Sequence, residues 1–283
     1  NIHLPINKPS LEDAKRRLLF DELLLLQLKF LIKKNKRKSI IIKDNIKAKK
    51  SYLGHFLKNI PFDLTNSQIK VLDEIKIDLK SPNPMSRLLQ GDVGSGKTIV
   101  AIASLLYIVE NGFQGALMVP TEVLAIQHYQ NLVRNLNPLF ISVELLTGNT
   151  SQRKRKKILN DLLNGQIKIL VGTHALFEDK VIFDSLGLVV IDEQHRFGVS
   201  QRNRLLRKGE NTNLLSMTAT PIPRTLALSI YGDLDVSKID ELPPGRFPVE
   251  TKIIHENNLS RLFKIVENEI NNGKQAYVIL PLI

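Results

Sequence analysis

The sequence has 283 residues, 43% of them hydrophobic, which is enough for one large packed domain or two modest ones. It contains no cysteine, and this excludes disulfides, thiolate metal ligands and cysteine redox chemistry. The formal net charge of +12 favours a polyanionic partner, although a general enrichment in Lys, Asn and Ile explains the charge equally well.

The hydropathy of the sequence bears on membrane insertion and export. No stretch approaches the roughly 18 to 20 apolar residues of a membrane span, and the N-terminal residues lack the pattern of a signal peptide. We therefore expect a soluble, cytoplasmic protein with no membrane partner.

A leucine-rich segment opens the chain. Ser10 and Asp13 have the spacing of a capping box, and the following LEDAKRRLLFDELLLLQLKFLIKK predicts one continuous helix. Its leucines are too dense for a purely exposed face, so we expect the helix to pack against another element. The next stretch, from Lys33 to Lys50, is strongly basic, and both a phosphate-tracking surface and a solvated linker are compatible with it.

From Ser86 onward, short apolar runs alternate with helical patterns. The predicted strands are SRLLQ, ALMVP, SVELL, IKILVG, LGLVVID and LLSMTAT. Strands that are apolar throughout and joined by helices are typical of an α/β fold with a doubly wound parallel sheet. Ligands of such sheets bind at the carboxyl ends of the strands.

A linker rich in Pro and Gly, ELPPGRFP at 241–248, separates a short C-terminal segment. That segment offers two predicted strands, VETKII and QAYVILPLI, and a helix from about Leu259 to Asn271. These elements are too few for a separate α/β domain. We therefore expect the second unit to be truncated.

The sequence GDVGSGKT matches the phosphate-binding loop G-x-x-x-x-G-K-[ST], preceded by a strand and followed by a helix. Its glycines let backbone N–H groups surround a β-phosphate, its lysine reaches the β and γ oxygens, and its threonine holds Mg²⁺. The predicted ATP-binding residues are Gly91, Asp92, Val93, Gly94, Ser95, Gly96, Lys97 and Thr98.

Two adjacent acids follow the apolar run LVVI. At the end of a central strand beside the phosphate loop, Asp192 would hold the Mg²⁺ shell and Glu193 would orient and deprotonate the attacking water. Lys97, Asp192 and Glu193 are therefore the predicted catalytic residues, and Thr98 and Asp192 the metal ligands. His195, Thr218 and Thr220 lie where they would link nucleotide state to domain position.

Further motifs, in chain order, are PTEVLAIQH, LLTG, VGTH, DEQHRFGVSQR and MTATPIPRTLALSIYGDLDVSKIDELPPGR. With the phosphate loop and the leading RRLLFDELLLLQL, they make the chain resemble the superfamily 2 helicases, and within them the RecG-type branch-migrating DNA helicases, over nearly its whole length. The related transcription-repair coupling translocases usually have a second acid where this chain has Gln194, and they lack RRLLFDELL.

The resemblance implies roles for further residues. Phe62, Thr65 and Gln68 match the segment that recognises adenine. Arg224 matches a position that couples the two motor domains, or lobes, of these helicases. Loops that grip the DNA backbone in the family correspond to Thr121, Thr147, Gly148, Thr173 and His174. Such loops use hydroxyls and amides rather than groups that read bases.

For the domains, the resemblance implies three parts. Residues 1–58 hold the end of a wedge region, the leucine-rich helix and a basic linker; residues 59–240 form the first RecA-like ATP-binding domain; residues 241–283 form a linker and the truncated start of a second RecA-like domain. The arginine that would reach the γ-phosphate lies beyond Ile283. We therefore expect residues 1–283 alone to lack helicase activity.

The implied function of the whole protein is an ATP- and Mg²⁺-dependent helicase or translocase. It would act as a monomer on forks and Holliday junctions in recombination and repair, with single-stranded DNA-binding protein as a further partner. A transcription-repair coupling translocase and a nucleotide-gated DNA-binding module without motor output are the alternatives.

Overall fold

The computed structural model describes residues 2–38, 51–193, 196–220, 234–241, 243, 251, 253–255 and 258–280. Its first part is built on a parallel sheet. The sheet has seven strands in the order β3-β4-β2-β5-β6-β1-β7. The strands are β1 (Ser86–Gly91), β2 (Gln114–Met118), β3 (Val143–Leu146), β4 (Ile169–Gly172), β5 (Leu186–Ile191), β6 (Asn213–Thr218) and β7 (Asp235–Ile239). Every pair of neighbours runs parallel.

The described helices precede, connect and follow these strands. They are α1 (Lys8–Lys38), α2 (Tyr52–Asn59), α3 (Asn66–Lys80), α4 (Lys97–Glu110), α5 (Glu122–Leu136), α6 (Gln152–Leu163), α7 (Val199–Leu206) and α8 (Leu259–Asn271). Short 3₁₀ turns cover Asn137–Leu139 and His174–Phe177. The predicted α/β class with a doubly wound parallel sheet is confirmed.

Successive side chains of each strand point to opposite faces of the sheet, so a hydrophobic core forms on each face. Leu89, Leu117 and Val190 pack with buried residues of α2 to α5, whereas Leu88 and Val189 pack on the other face with α6 and α7. With both faces covered, the strands can be apolar throughout. This burial on both faces explains why continuous apolar runs predict these strands so clearly.

One strand, β7, was not among the predicted strands. Its sequence DVSKI alternates polar and apolar residues, and within the described residues it pairs only with β1, at the edge of the sheet. An edge strand buries less of its surface than a central one, so it has a weaker apolar signal.

Helix α1 differs from its prediction in two respects. It begins at Lys8 rather than after Ser10, because the Asn7 side chain accepts a hydrogen bond from the Ser10 backbone N–H at 2.9 Å. Its leucines are also exposed: Leu19 and Leu25, for example, keep 59% and 61% of their surface open. The expected packing of this helix is not seen in the described part of the chain.

The chain divides into two compact units, 1–243 and 244–283. In the second unit the helix predicted from Leu259 to Asn271 is confirmed as α8. The two predicted strands are wrong where the structure describes them: Thr251, Ile253 and Ile254 and residues 274–280 are not in strands. A strand requires a partner for its backbone hydrogen bonds, and the described part of this unit offers none.

Among the described residues, none of the helices combines the length and the hydrophobicity of a membrane-spanning segment.

Candidate nucleotide-binding site

The phosphate loop lies between the end of β1 at Gly91 and the start of α4 at Lys97. Gly94 and Gly96 have φ values of 75° and 90°, a region that favours glycine and turns successive N–H groups to one side. The Ser95 hydroxyl is buried, and no described group forms a hydrogen bond to it. The loop therefore combines a helix N-terminus with polar groups available to an anion.

Gln68 ties the segment before α3 to this loop. Its amide nitrogen donates to the Ser95 carbonyl oxygen at 2.8 Å, and its amide oxygen accepts from the Thr65 backbone N–H at 3.0 Å. A Cβ at Gly96 would lie 2.1 Å from the Gln68 amide nitrogen, so a larger residue would displace the Gln68 side chain and would also be strained at this φ. Phe62, just before this segment, is half-exposed. The structure thus brings together the predicted adenine segment and the phosphate loop.

Lys97 is the first residue of α4. Its ammonium group donates to the carbonyl oxygens of Gly91 and Asp92 at 2.7 and 2.8 Å, so the side chain folds back over the loop. Thr98 follows in the first turn of the same helix. Both predicted phosphate and metal groups therefore lie at the N-terminus of α4, where the helix dipole favours an anion.

Asp192 and Glu193 follow β5, the central strand of the sheet. The Asp192 backbone N–H donates to the Met118 carbonyl oxygen at 2.9 Å, and one carboxylate oxygen of Asp192 accepts the Glu193 backbone N–H at 3.0 Å. Glu193 has a φ of 50°, a conformation that costs a non-glycine residue roughly 1 to 3 kcal/mol. Strain of this kind is concentrated at functional sites.

The second Asp192 oxygen contacts a residue that the sequence analysis had not singled out. Nε2 of His128, on α5, lies 3.0 Å from Oδ2 of Asp192, and both side chains are largely buried. The motif PTEVLAIQH contains this histidine, but nothing in the motif indicates the distant carboxylate that it contacts.

Strand β6 lies between β1 and β5, so the strands that lead into the phosphate loop and the acidic pair are two strand spacings, roughly 10 Å, apart. At its tip the hydroxyls of Thr218 and Thr220 are 2.8 Å apart, and the Gln90 amide donates to the Thr220 carbonyl oxygen. The predicted coupling threonines thus lie between the phosphate loop and the acidic pair of the candidate site. His195 and Arg224 lie outside the described residues.

The predicted DNA loops follow β2, β3 and β4. The Thr121 hydroxyl accepts the Leu124 backbone N–H and so caps α5. Thr147 is buried, and its hydroxyl donates to Glu122 at 2.6 Å. Glu122 also accepts the Asn149 amide at 2.6 Å. These side chains shape the loops through contacts within the protein.

Two further residues complete this edge of the sheet. His174 is exposed and packs its ring against Phe177 and Phe197, with ring centroids 5.9 and 5.5 Å apart. Gly148 faces open space, since an added Cβ would have no neighbour within 4 Å. The fold itself therefore does not require a glycine at position 148.

The donor set fits a magnesium nucleotide. No group of three or more acidic or histidine side chains that could hold a metal alone exists in the described residues. Mg²⁺ bound with nucleotide needs fewer protein ligands, because phosphate oxygens and water complete its octahedron. Asp192 and Thr98 supply one carboxylate and one hydroxyl, and Lys97 and the loop N–H groups suit the phosphates.

A separate cavity of about 730 Å³ lies at the opposite, amino end of the strands, between Leu79, Phe113, Leu186 and Lys208. Burial lowers the pKa of Lys208, whose ammonium group donates to the carbonyl oxygens of Glu178 and Val181. Because ligands of parallel α/β sheets bind at the carboxyl edge, this cavity is not the nucleotide site.

Comparisons with known proteins agree with this geometry. A family model described as DEAD/DEAH box helicase matches residues 53–228. ATP-dependent DNA helicase RecG from Synechocystis sp. is 51% identical over 282 residues, which cover 100% of this chain and 34% of that protein. RecG from Bacillus subtilis is 48% identical over 282 residues, with 100% of this chain and 41% of the relative covered.

A solved structure of RecG bound to a three-way DNA junction matches with a TM-score of 0.85 and 45% identity over 97% of this chain and 37% of that one. A structure of the DUF1998 helicase MrfA bound to DNA, at 20% identity and a TM-score of 0.59, covers 77% of this chain and 34% of its own and shares the fold. The chain thus spans well under half the length of these proteins.

Proposed function

Because the chain belongs to the DEAD/DEAH box helicase family, we propose that it is the ATP-binding motor lobe of a RecG-type DNA helicase. The observation that carries the proposal is the carboxyl edge of the sheet. There a complete phosphate loop and the Asp192–Glu193 pair stand on opposite sides of the β6 tip. The similarity to RecG proteins over the whole chain supports this reading.

For the nucleotide, we assign the β- and γ-phosphates to the loop 91–98 and the adenine to Phe62, Thr65 and Gln68. The Gln68 amide forms hydrogen bonds with Thr65 and Ser95, so adenine binding to Gln68 would be coupled directly to the conformation of the phosphate loop. Lys97 would exchange its carbonyl contacts for phosphate oxygens. Thr98 and Asp192 would hold Mg²⁺, which neutralises phosphate charge and orients the oxygens.

Glu193 is proposed as the general base that orients and deprotonates water, since it follows the metal ligand by one residue. Thr218 and Thr220, between the phosphate loop and Glu193, are proposed to couple nucleotide state to the second lobe, together with His195 and Arg224. Hydrolysis would then change the gap between the lobes.

The loops after β2, β3 and β4 are proposed to contact the sugar-phosphate backbone of DNA. Thr121, Thr173 and His174 present polar groups at this edge, and Gly148 leaves room for a backbone to approach. Thr147 would act indirectly, because its hydroxyl is donated to Glu122. The net charge of +12 favours a polyanion, and phosphate contacts carry most of such affinity.

The proposed substrate is branched DNA, by analogy with the RecG structure on a three-way junction. In the whole protein, residues 59–240 would form the first motor domain and residues 241–283 the start of the second. Remodelling of stalled forks and Holliday junctions by a cytoplasmic, nucleoid-associated monomer, with single-stranded DNA-binding protein as a partner, completes the proposal.

The test compares ATP hydrolysis by the whole protein with no DNA, with linear duplex and with a fork of the same length and composition. We expect stimulation by both DNAs, larger for the fork, with affinities that fall steeply with salt and depend little on base sequence. Equal rates under all three conditions would refute the helicase assignment. A nucleotide-gated module without motor output predicts DNA binding that responds to nucleotide without strand separation.

A further inference from the structure

The contact between His128 and Asp192 joins two parts of the sheet. His128 belongs to α5, which follows β2 and packs against β3 and β4, whereas Asp192 follows β5. The contact is 3.0 Å long, and the two side chains keep only 11% and 16% of their surface exposed. Because this buried polar pair lies at the edge of the candidate site, the contact bears on the site as well as on the stability of the fold.

The hydrogen bonds of Asp192 indicate that the contact orients its carboxylate. The outer torsion of an aspartate side chain is soft, so an isolated carboxylate can rotate freely. Here one oxygen accepts the Glu193 backbone N–H and the other lies against His128. Each oxygen has two lone pairs, so each keeps one for another partner. The two contacts together fix the plane of the carboxylate without consuming its capacity to bind a cation.

We propose that His128 is a positioning residue for the magnesium ligand: its Nε2–H donates to Oδ2 of Asp192 and fixes the carboxylate in the orientation that a metal-bound nucleotide requires. This inference rests on the proposed function, because Asp192 serves as a ligand only if the site binds a magnesium nucleotide. The contact needs a proton on Nε2, which both the neutral Nε2–H tautomer and the charged ring provide.

Magnesium makes such positioning important. It demands nearly ideal octahedral geometry at short distances, so a carboxylate that rotates freely binds it less well. Hydrogen-bond partners behind metal ligands are typically worth about 10- to 100-fold in metal affinity or activity. We therefore expect the loss of His128 to act on the metal-dependent part of nucleotide binding only.

The experiment measures binding of a fluorescent ADP analogue to the whole protein, once with excess Mg²⁺ and once with EDTA. Mg²⁺ is then titrated at fixed nucleotide to obtain its apparent affinity. His128→Ala is expected to lower that affinity about 10-fold and to leave the affinity in EDTA unchanged. His128→Gln, whose amide nitrogen can reach the position of Nε2, is expected to restore most of the loss.

Gln130→Ala is the matched control, because Gln130 is an exposed residue on the same helix. It should behave as the parent does in every assay. Unchanged Mg²⁺ affinity in a folded His128→Ala variant overturns the inference. Equal losses of nucleotide affinity with Mg²⁺ and with EDTA overturn it as well, since they would assign His128 a structural role.

Should His128→Ala fail to fold, as judged by its circular dichroism melt, the comparison of His128→Gln with His128→Asn decides. The shorter asparagine places its amide near the position of Nδ1 and falls short of Asp192, so its Mg²⁺ affinity should be the lower of the two. Equal affinities overturn the proposal. A parent chain that binds nucleotide equally with and without Mg²⁺ instead contradicts the proposed function itself.

Discussion

The two halves of the sheet use their carboxyl ends differently. In the phosphate-loop half, formed by β5, β6, β1 and β7, the loop between Gly91 and Lys97 presents backbone groups and the buried Ser95 hydroxyl. In the threonine-loop half, formed by β3, β4 and β2, side chains are tied to one another, as when Glu122 accepts both Thr147 and Asn149.

The difference reflects what each half is proposed to bind. A nucleotide phosphate is small and fits a nest of N–H groups whose shape is set by glycine. A DNA backbone is long and is followed by several loops at once, so the relative position of those loops matters more than any one side chain. A mutation in the phosphate-loop half should therefore remove a ligand contact. A mutation in the threonine-loop half should instead change the relative positions of the loops.

The largest expected effect tests the chemistry of the phosphate-loop half. In the whole protein, Glu193→Gln should keep ATP binding and lower the hydrolysis rate by roughly 10² to 10⁴, the usual contribution of a general base. Steady-state hydrolysis and equilibrium nucleotide binding measured on the same preparation separate the two. Hydrolysis at the parental rate would assign the base to another residue.

Lys97→Ala is expected to have the next largest effect. The ammonium group would contact two phosphate oxygens, and charge-assisted hydrogen bonds contribute about 1.5 to 3 kcal/mol each, so MgATP affinity should fall by at least roughly 100-fold. Calorimetric titration measures this, and DNA affinity without nucleotide should stay at the parental value. Unchanged MgATP affinity in a folded variant would contradict the phosphate-loop assignment, and an equal loss of DNA affinity would contradict the division into halves.

Glu122→Ala sharpens the comparison from the threonine-loop side. The substitution removes the acceptor of both the Thr147 hydroxyl and the Asn149 amide. We expect DNA affinity at fixed salt to fall by about 10-fold, the equivalent of one or two net hydrogen bonds, while nucleotide affinity is unchanged. Fluorescence anisotropy with a labelled fork measures the DNA affinity.

The control for this variant is Glu210→Ala, which removes the same charge from an exposed loop between α7 and β6. A general electrostatic effect would change DNA affinity equally in both variants, because each raises the net charge by one. That result would refute a specific role for Glu122 in shaping the loop.

Local signals explain which parts of the fold could be predicted from sequence. Apolar runs between helical patterns identified β1 to β6, and the spacing of GDVGSGKT identified the loop that joins β1 to α4. Both signals are contained in fewer than about ten consecutive residues and depend little on the rest of the chain. The helical pattern of α8 is longer but also local, and its predicted bounds match the observed ones.

Contacts between distant residues explain what could not be predicted. His128 and Asp192 are 64 positions apart, and Glu122 and Thr147 are 25 apart, so no local pattern pairs them. The exposure of the α1 leucines and the missing strands of the second unit have a related cause. Whether an apolar residue is buried, or an extended segment becomes a strand, depends on a partner elsewhere.

The last comparison lies within the phosphate-loop half. It is between the contacts that hold the C-terminal end of α4 in place and the nucleotide chemistry proposed for its N-terminal end. At the C-terminal end the Glu110 carboxylate accepts the Leu53 backbone N–H at 3.1 Å and so ties α2 to α4. Burial raises the pKa of Glu110, against the opposing influence of the Leu53 and Tyr52 N–H groups and of Lys76. Burial and the charge of Glu110 likewise raise the pKa of Tyr107.

The sign of the pH effect follows from linkage. Because the folded-state pKa of Glu110 lies above its unfolded value near 4.5, the native state binds more protons between the two values. Its contribution to stability is therefore complete below pH 4.5 and is lost as pH rises through the folded pKa. At neutral pH the buried carboxylate is a small cost.

Glu110→Gln keeps an oxygen that can accept the Leu53 N–H and removes the charge. Relative to the parent, the melting temperature of this variant should rise between about pH 4 and pH 7, by roughly 2 °C or less, while MgATP affinity stays unchanged. Scanning calorimetry across that range, with the exposed Glu12→Gln as control, measures the difference. Parallel pH profiles for the parent and Glu110→Gln would show that the carboxyl titrates alike in the folded and unfolded chains. Lost MgATP affinity would instead show that anchoring and nucleotide binding are not separable in this half of the sheet.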